Sequence, residues 1–271
     1  MFYAIALVFL TLSSGFGQHS ILSEGIHPSS FARANTGICL WNNYINTVNP
    51  ALLSGLTSSS LSVYARNYYF TKGVLNQNIL LQFKIDKLSG ASLLLSKDGS
   101  QDYAEYLLKL SYGRQLGQHT KMGIAVFGWV LNQFAIKNKM YVNVQWGITT
   151  RINPNLMAGC VLSNPLYFHK SVTNSPPFHF SSGINYRIYD GLELLAEIQK
   201  HGFTALSTSV GLNYQASLHL QLFAGVRTSG PQISVGIMYA LRNKFKCNMA
   251  VENHPLLGPS LNTGIDYFMI K

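Results

Sequence analysis

Eight histidines, at positions 19, 27, 119, 169, 179, 201, 219 and 254, and three cysteines, Cys39, Cys160 and Cys247, are the side chains of this chain best suited to metal or nucleophilic chemistry. Their spacing assembles neither. There is no Gly-x-Ser-x-Gly elbow, no His-Glu-x-x-His, no phosphate-cradling Gly-x-x-x-x-Gly-Lys-Ser/Thr and no Cys-x-x-Cys. His169 and His179 flank the longest predicted loop and would be the pair to share a metal ion, but two loop histidines more simply face water. His254 reads as a turn residue. Glu193 and Glu197 lie four apart, as an acid/base pair on a helix would; on a strand they share one face, and countering nearby arginines is the better reading. Three cysteines are an odd number without framework spacing, which predicts no disulfide scaffold. No catalytic residue, cofactor or metal is expected.

The elements that carry these residues are legible in the composition. The chain has 271 residues and is 47% hydrophobic but only 11% charged, against about 25% charged for an ordinary soluble domain. Aromatics and Gly are abundant, which excludes a disordered chain, and the charges are too few to solvate a whole globular surface. Residues 4–12 form a short apolar run followed by Ser13-Ser14-Gly15-Phe16-Gly17. This run is about half the roughly twenty residues that a spanning helix needs. It predicts a signal peptide over residues 1–17, although the usual basic start is missing. No later run approaches a spanning helix. An exported, lipid-compatible chain without such a helix leaves the closed β-barrel, because only helices and barrels satisfy the backbone in lipid.

Alternation supports that inference. Leu218, Leu220, Leu222, Ala224 and Val226 oppose His219, Gln221, Gly225 and Arg227. Ile233, Val235, Ile237, Tyr239 and Leu241 oppose Gln232, Ser234, Gly236 and Arg242. Met140, Val142, Val144, Trp146 and Ile148 oppose Tyr141, Asn143, Gln145, Thr149 and Arg151; Phe180, Ile184, Tyr186 and Ile188 oppose Ser181, Gly183, Asn185 and Arg187. Period two over eight to eleven residues is the pattern of a membrane-barrel strand, apolar toward lipid and polar toward the lumen. About fourteen such segments run from residue 59 to residue 270, with 192–200 the weakest. Tight turns such as Asn153-Pro154 and Asp190-Gly191 follow even strands, and several longer loops follow odd ones. The predicted fold is an all-β, antiparallel transmembrane barrel over residues 59–271.

Residues 18–58 lack the alternation and contain helix-sized pieces around 30–38 and 50–56. The inferred luminal faces are rich in Gly, Ser and Asn, leaving room for this segment as a partly helical plug. The same faces carry Arg66, Glu105, Lys109, Arg151, Arg187, Glu193, Glu197 and Arg227, expected to pair as a luminal charge network. Lys72, Lys137, Lys139 and Lys170 fall in predicted outer loops without acids. They are expected either simply to meet lipopolysaccharide or to bind anionic glycolipid phosphates or an acidic protein surface. No feature supports nucleic-acid binding.

The stretch Phe31-Ala32-Arg33-Ala34-Asn35-Thr36-Gly37, with Trp41 and Asn49-Pro50-Ala51-Leu52-Leu53, resembles the amino-terminal motif of PorV-type and FadL-like barrels. Met249 to His254, Leu257-Gly258, Leu261 and Tyr267-Phe268 are similar to that family's closing hairpin. Tyr214 to Gly230 resembles its penultimate strands. Leu52 stands where the family usually has Gly, Cys-Asn-Met replaces an acidic-aromatic pair before His254, and the chain ends in Lys271 rather than an aromatic residue. The resemblance implies fourteen strands, a plug seated through Arg33, Gly37, Trp41, Asn49 and Pro50, and a place in the bacterial outer membrane. It implies two functions. The favoured one is a non-enzymatic component of the Bacteroidetes type IX secretion system, of the PorV/PorQ type, docking cargo or partner proteins on its outer loops and plug. The alternative is a FadL-like transporter that passes a hydrophobic ligand through a plugged lumen. For the second, residues 120–133 are apolar on both faces and would either line a pocket or pack on the plug.

Overall fold

In a computed structural model, residues 26–41, 47–100, 103–133, 136–165, 178–202, 205–228, 232–242 and 244–269 are described, and the side chains of 133 and 136–139 are not. The predicted signal peptide, Lys170 and His169 lie outside the described residues. Fourteen strands form one closed antiparallel barrel. They are β1 (Ser59–Asn67), β2 (Leu75–Lys84), β3 (Ser89–Gly99), β4 (Tyr103–Leu116), β5 (Thr120–Gln133), β6 (Ile136–Asn153), β7 (Leu156–Ser163), β8 (His179–Tyr189), β9 (Leu192–His201), β10 (Ser207–Gln215), β11 (Leu220–Arg227), β12 (Gln232–Leu241), β13 (Phe245–His254) and β14 (Gly258–Met269). Each strand pairs with its neighbours in sequence, and β1 closes on β14 from Ser59↔Met269 to Asn67↔Leu261. Closure gives every strand a neighbour on both sides, the condition for a backbone that crosses lipid. The weakest predicted strand, 192–200, is β9: its alternation, with Glu193, Leu195, Glu197 and Gln199 buried, outweighs the helical spacing of the two glutamates.

The outside of the barrel is apolar. Val63, Ile79, Leu95, Leu110, Val126, Val210 and Val235 are exposed. Phe83, Tyr112, Tyr186, Tyr214, Tyr239 and Phe245 are also exposed, near the strand ends that lead into the turns on the side of both barrel termini. An apolar belt bordered by aromatics is the outer face of a membrane barrel. Those turns are short. In the β2–β3 turn the Leu88 N–H donates to the Asp86 carboxylate at 2.6 Å. That bond, with help from Ser89, holds the Asp86 carboxyl below its ordinary range. At the other end the connections vary from the two residues 134–135 to 164–178, so not every odd connection is long.

Two short elements precede β1. Helix α1 (Pro28–Ala32) begins with Pro at its first position, and the His27 side chain accepts from the Ser29 N–H at 3.1 Å as its cap. It ends where Ala34 and Asn35 adopt left-handed φ values of 54° and 61°. The 3-10 helix η1 (Pro50–Gly55) is capped by Asn49, again with Pro first. Both lie inside the barrel: α1 packs on β11–β14 and η1 on β2–β6. The described residues before β1 therefore form a plug in the lumen, and no helix of the described residues is long and apolar enough to cross a membrane itself.

Candidate functional site in the barrel lumen

Room for the plug comes from glycines that alternation turns inward. Gly90 pairs with Gly113, Gly113 with Gly123 and Gly123 with Gly147, a row of four across β3–β6. A Cβ at Gly90 would collide with the Leu53 carbonyl, at Gly113 with the Pro50 carbonyl, at Gly123 with the Pro50 backbone and at Gly147 with the Asn49 side chain. On the opposite wall, Gly225 abuts the Arg33 backbone, Gly211 the Thr36 hydroxyl and Gly236 the Ala32 methyl. The two plug elements thus lie directly on strand backbone. Side chains larger than hydrogen at these positions would close the lumen against them.

Each plug-motif residue has a definite seat. Asn49 is buried: its Oδ1 accepts from the Ala51 N–H at 3.0 Å, and its Nδ2 donates to the Ile38 carbonyl at 2.9 Å and the Ile148 carbonyl at 3.5 Å. It therefore caps η1 while tying it to the α1 side of the plug and to β6. We expect Asn49→Ala to lower plug stability by about 1–2 kcal/mol, the upper range for a lost cap. The check is the denaturant concentration at which the N-terminal segment becomes accessible to protease. The Gly37 and Ile38 N–H groups both donate to Glu197 Oε1, at 2.6 and 2.8 Å. Arg33 is buried over the Phe223 ring, 5.2 Å from its centroid, and lies in the field of Glu193 and Glu197. Trp41 is half-buried beneath the Arg187 guanidinium, 4.5 Å from the ring centroid.

The expected luminal charges have different surroundings. Glu193 and Glu197 are buried together against the plug, with Asn185 donating to Glu193 at 3.0 Å. Arg227 reaches the Ala34 carbonyl at 3.5 Å. Arg66 is buried with its guanidinium 4.0 Å from the centroid of the Phe31 ring. Glu105 accepts from Trp129 Nε1 at 3.1 Å and also from the Tyr103 hydroxyl. Arg151 is a correction: its register faces the lumen, but β6 runs past the plug to the rim, where Arg151 is exposed and contacts His119 at 3.2 Å. Arg187 likewise sits near the rim, 4.0 Å from Asp190. Register alone cannot say how far along the barrel axis a luminal residue lies. Of the four expected loop lysines, Lys72 is exposed between β1 and β2. Lys137 and Lys139 belong to β6 rather than to a loop, because the β5–β6 connection is only residues 134–135.

Several luminal residues lie beyond the reach of alternation. His27 Nε2 meets the Asp266 carboxylate at 3.3 Å, and Asn248 Nδ2 donates to the same oxygen at 2.7 Å, fastening α1 to β13 and β14. Lys109 is buried and donates to the Thr47 carbonyl at 3.0 Å. Beside it, Leu80, Leu94, Leu107, Phe127 and Trp129 form one buried cluster with Ile26, Tyr64 and Phe268, and Leu131 and Tyr141 pack against it. Residues 120–133 are therefore apolar toward lipid and toward the lumen alike. Next to this wall the described strands differ in length. β6 has 18 residues and β7 has 8, and β7 ends with Ser163 opposite Gln145. Among the described residues, 136–143 of β6 have no partner strand on that side.

A closed fourteen-strand barrel with an N-terminal plug defines an outer-membrane-type β-barrel with a FadL-like fold. The structure superposes on a Pseudomonas aeruginosa FadL homologue with a TM-score of 0.70 at 9% identity, covering 92% of this chain and 99% of that one. The Pseudomonas putida toluene transporter TodX aligns with a TM-score of 0.70 at 11% identity, over 92% of this chain and 99% of that one. The Ralstonia pickettii toluene transporter TbuX aligns with a TM-score of 0.66 at 12% identity, over 90% and 98%. At such identities the likeness is one of fold. No family profile and no curated protein sequence matches the chain.

Proposed function

We propose that this protein is an outer-membrane channel for small hydrophobic or amphiphilic molecules. The observation that carries the reading is the apolar luminal wall of Leu80, Leu94, Leu107, Phe127 and Trp129. A barrel interior that passes hydrated solutes is polar, and burying five large apolar side chains on the inside suits a solute that also avoids water. Two further features support it. The plug elements lie inside the lumen against β2–β6 and β11–β14, and Tyr141, in the part of β6 that among the described residues lacks a partner on the β7 side, has its ring 5.4 Å from that of Trp129. Two of the solved barrels with this fold are toluene transporters. The favoured expectation from sequence, a secretion component, rests on the resemblance of the plug motif, the closing hairpin and the penultimate strands; these observations favour transport instead.

The test is entry of a radiolabelled monoaromatic solute and of a labelled sugar into liposomes carrying the protein. The expected result is faster entry of the aromatic than in protein-free liposomes, no change for the sugar, and a drop of about tenfold for the aromatic in Leu107→Asp, which puts a charge on the apolar wall. Equal aromatic entry with and without protein would refute transport. Recovery of secreted proteins bound to the barrel purified from native membranes, without aromatic flux, would establish the docking role.

A further inference from the structure

A small cavity lies between the plug and the wall of β2–β4. Strand register builds its barrel side: Ser92 on β3 pairs with Ser111 on β4, and one inward position further along the same strands Leu94 pairs with Lys109. These four side chains line the cavity together with Leu80, which pairs with Leu94 from β2. Thr47, Asn49, Pro50 and Leu53 close it from the plug side. Its volume of about 10 Å³ admits one particle the size of a water.

The polar part of this lining is a set of donors without an acid. Lys109 is buried and gives one of its three N–H groups to the Thr47 carbonyl at 3.0 Å, which leaves two. The Thr47 hydroxyl accepts from the Ile26 N–H at 3.3 Å, so its own proton is available to donate. The hydroxyls of Ser92 and Ser111 add two further donors. Asn49 contributes little, because its amide is bound to Ala51, Ile38 and Ile148. Among the described residues Lys109 has no carboxylate partner. A water in the cavity would satisfy hydroxyls but leave the ammonium charge without compensation, whereas an anion meets both needs. Pro50, Leu53, Leu80 and Leu94 make up the rest of the lining and offer nothing to the outer oxygens of a carboxylate or a phosphate. The match in size, sign and shape is a monatomic anion.

We propose that this cavity binds a halide ion, chloride in physiological media, and that the ion bridges the plug to the barrel wall. Thr47 belongs to the plug, and Ser92, Lys109 and Ser111 to the wall, so the complete site exists only while the plug is seated. A ligand that binds one state alone favours that state by mass action. Chloride therefore holds the plug in place, whatever solute the channel carries.

The experiment uses the full chain in detergent, with heat-modifiable gel mobility confirming an intact barrel for each variant. The chloride NMR signal should broaden on addition of the protein and sharpen again when bromide displaces the ion. The broadening should be lost in Lys109→Met, fall when Ser92→Ala and Ser111→Ala are combined, and persist in Lys87→Met, at the exposed β2–β3 turn. Protease cleavage of the N-terminal segment is followed in sodium chloride and in sodium gluconate of equal ionic strength. At roughly ten times the dissociation constant from the NMR titration, chloride should slow cleavage about tenfold, and Lys109→Met should abolish that dependence.

No broadening by the parent protein, or equal broadening by Lys109→Met, would overturn the site and leave a water as the occupant. Acetate or nitrate displacing chloride as well as bromide does would overturn the monatomic assignment. Broadening that depends on Lys109 without protection of the plug by chloride would overturn the bridge.

Discussion

Valine in place of Gly123 should unseat the plug and leave the barrel standing. A Cβ there would lie inside contact distance of the Pro50 backbone, and backbone cannot swing aside as a long side chain can. Overpacking a filled interior costs about 1–3 kcal/mol where neighbours can adjust. Here η1 must move as a unit, and with it the Asn49 bonds to Ile38 and Ile148. The strand itself has no reason to fail, because its pairing with Gly113 and Gly147 uses only main-chain atoms. The expected result is a folded, heat-modifiable barrel whose single-channel conductance in planar bilayers rises several-fold and whose N-terminal segment becomes protease-sensitive. Gly128→Val on the same strand is the control: a Cβ there meets only the Met140 methyl at 3.7 Å and should be silent. A Gly123→Val protein with unchanged conductance and protease resistance would show that the glycine row is not what seats the plug.

Loss of the Glu197 carboxylate should be the most costly single change in the lumen. Its Oε1 receives two backbone N–H groups, from Gly37 and Ile38, and its charge offsets that of Arg33 nearby. Truncation to alanine leaves two buried donors without an acceptor and a buried guanidinium with one fewer counter-charge. Removing one member of such a buried set costs about 3–5 kcal/mol. Glu197→Gln retains an oxygen for the two N–H groups, and its loss should be nearer the roughly 1–2 kcal/mol that separates a charged from a neutral acceptor. Urea titration read by proteolysis of the N-terminal segment, beside gel mobility of the barrel, separates plug release from barrel unfolding. Alanine and glutamine variants with the same midpoint as the parent would remove Glu197 from any role in holding the plug.

Much of this architecture was legible in one dimension. Period two is a property of the extended chain itself, so the apolar set Leu220, Leu222, Val226 and the polar set Gln221, Gly225, Arg227 had to face opposite ways in any strand that contained them. Low charge and the lack of a spanning helix then left a closed barrel as the way to satisfy the backbone in lipid. The inward glycines Gly183, Gly225 and Gly236 were equally readable as small luminal positions.

What stayed hidden depends on distances between strands far apart in sequence and on height along the barrel axis. Arg151 and Glu197 share a luminal register, yet one is exposed at the rim and the other buried against the plug, because strand stagger sets depth and alternation does not. Lys137 and Lys139 read as loop residues because nothing local marks where an unusually long strand such as β6 turns. Lys109 read as one more luminal charge. Only the register between neighbouring strands sets Leu94 and Phe127 directly beside it and Leu80 beyond Leu94, in one wall with Trp129. The sequence by itself thus determined which way each side chain faces, a local consequence of backbone geometry; the tertiary structure decided what each one meets, since stagger, plug and closure arise from contacts that no window of sequence contains.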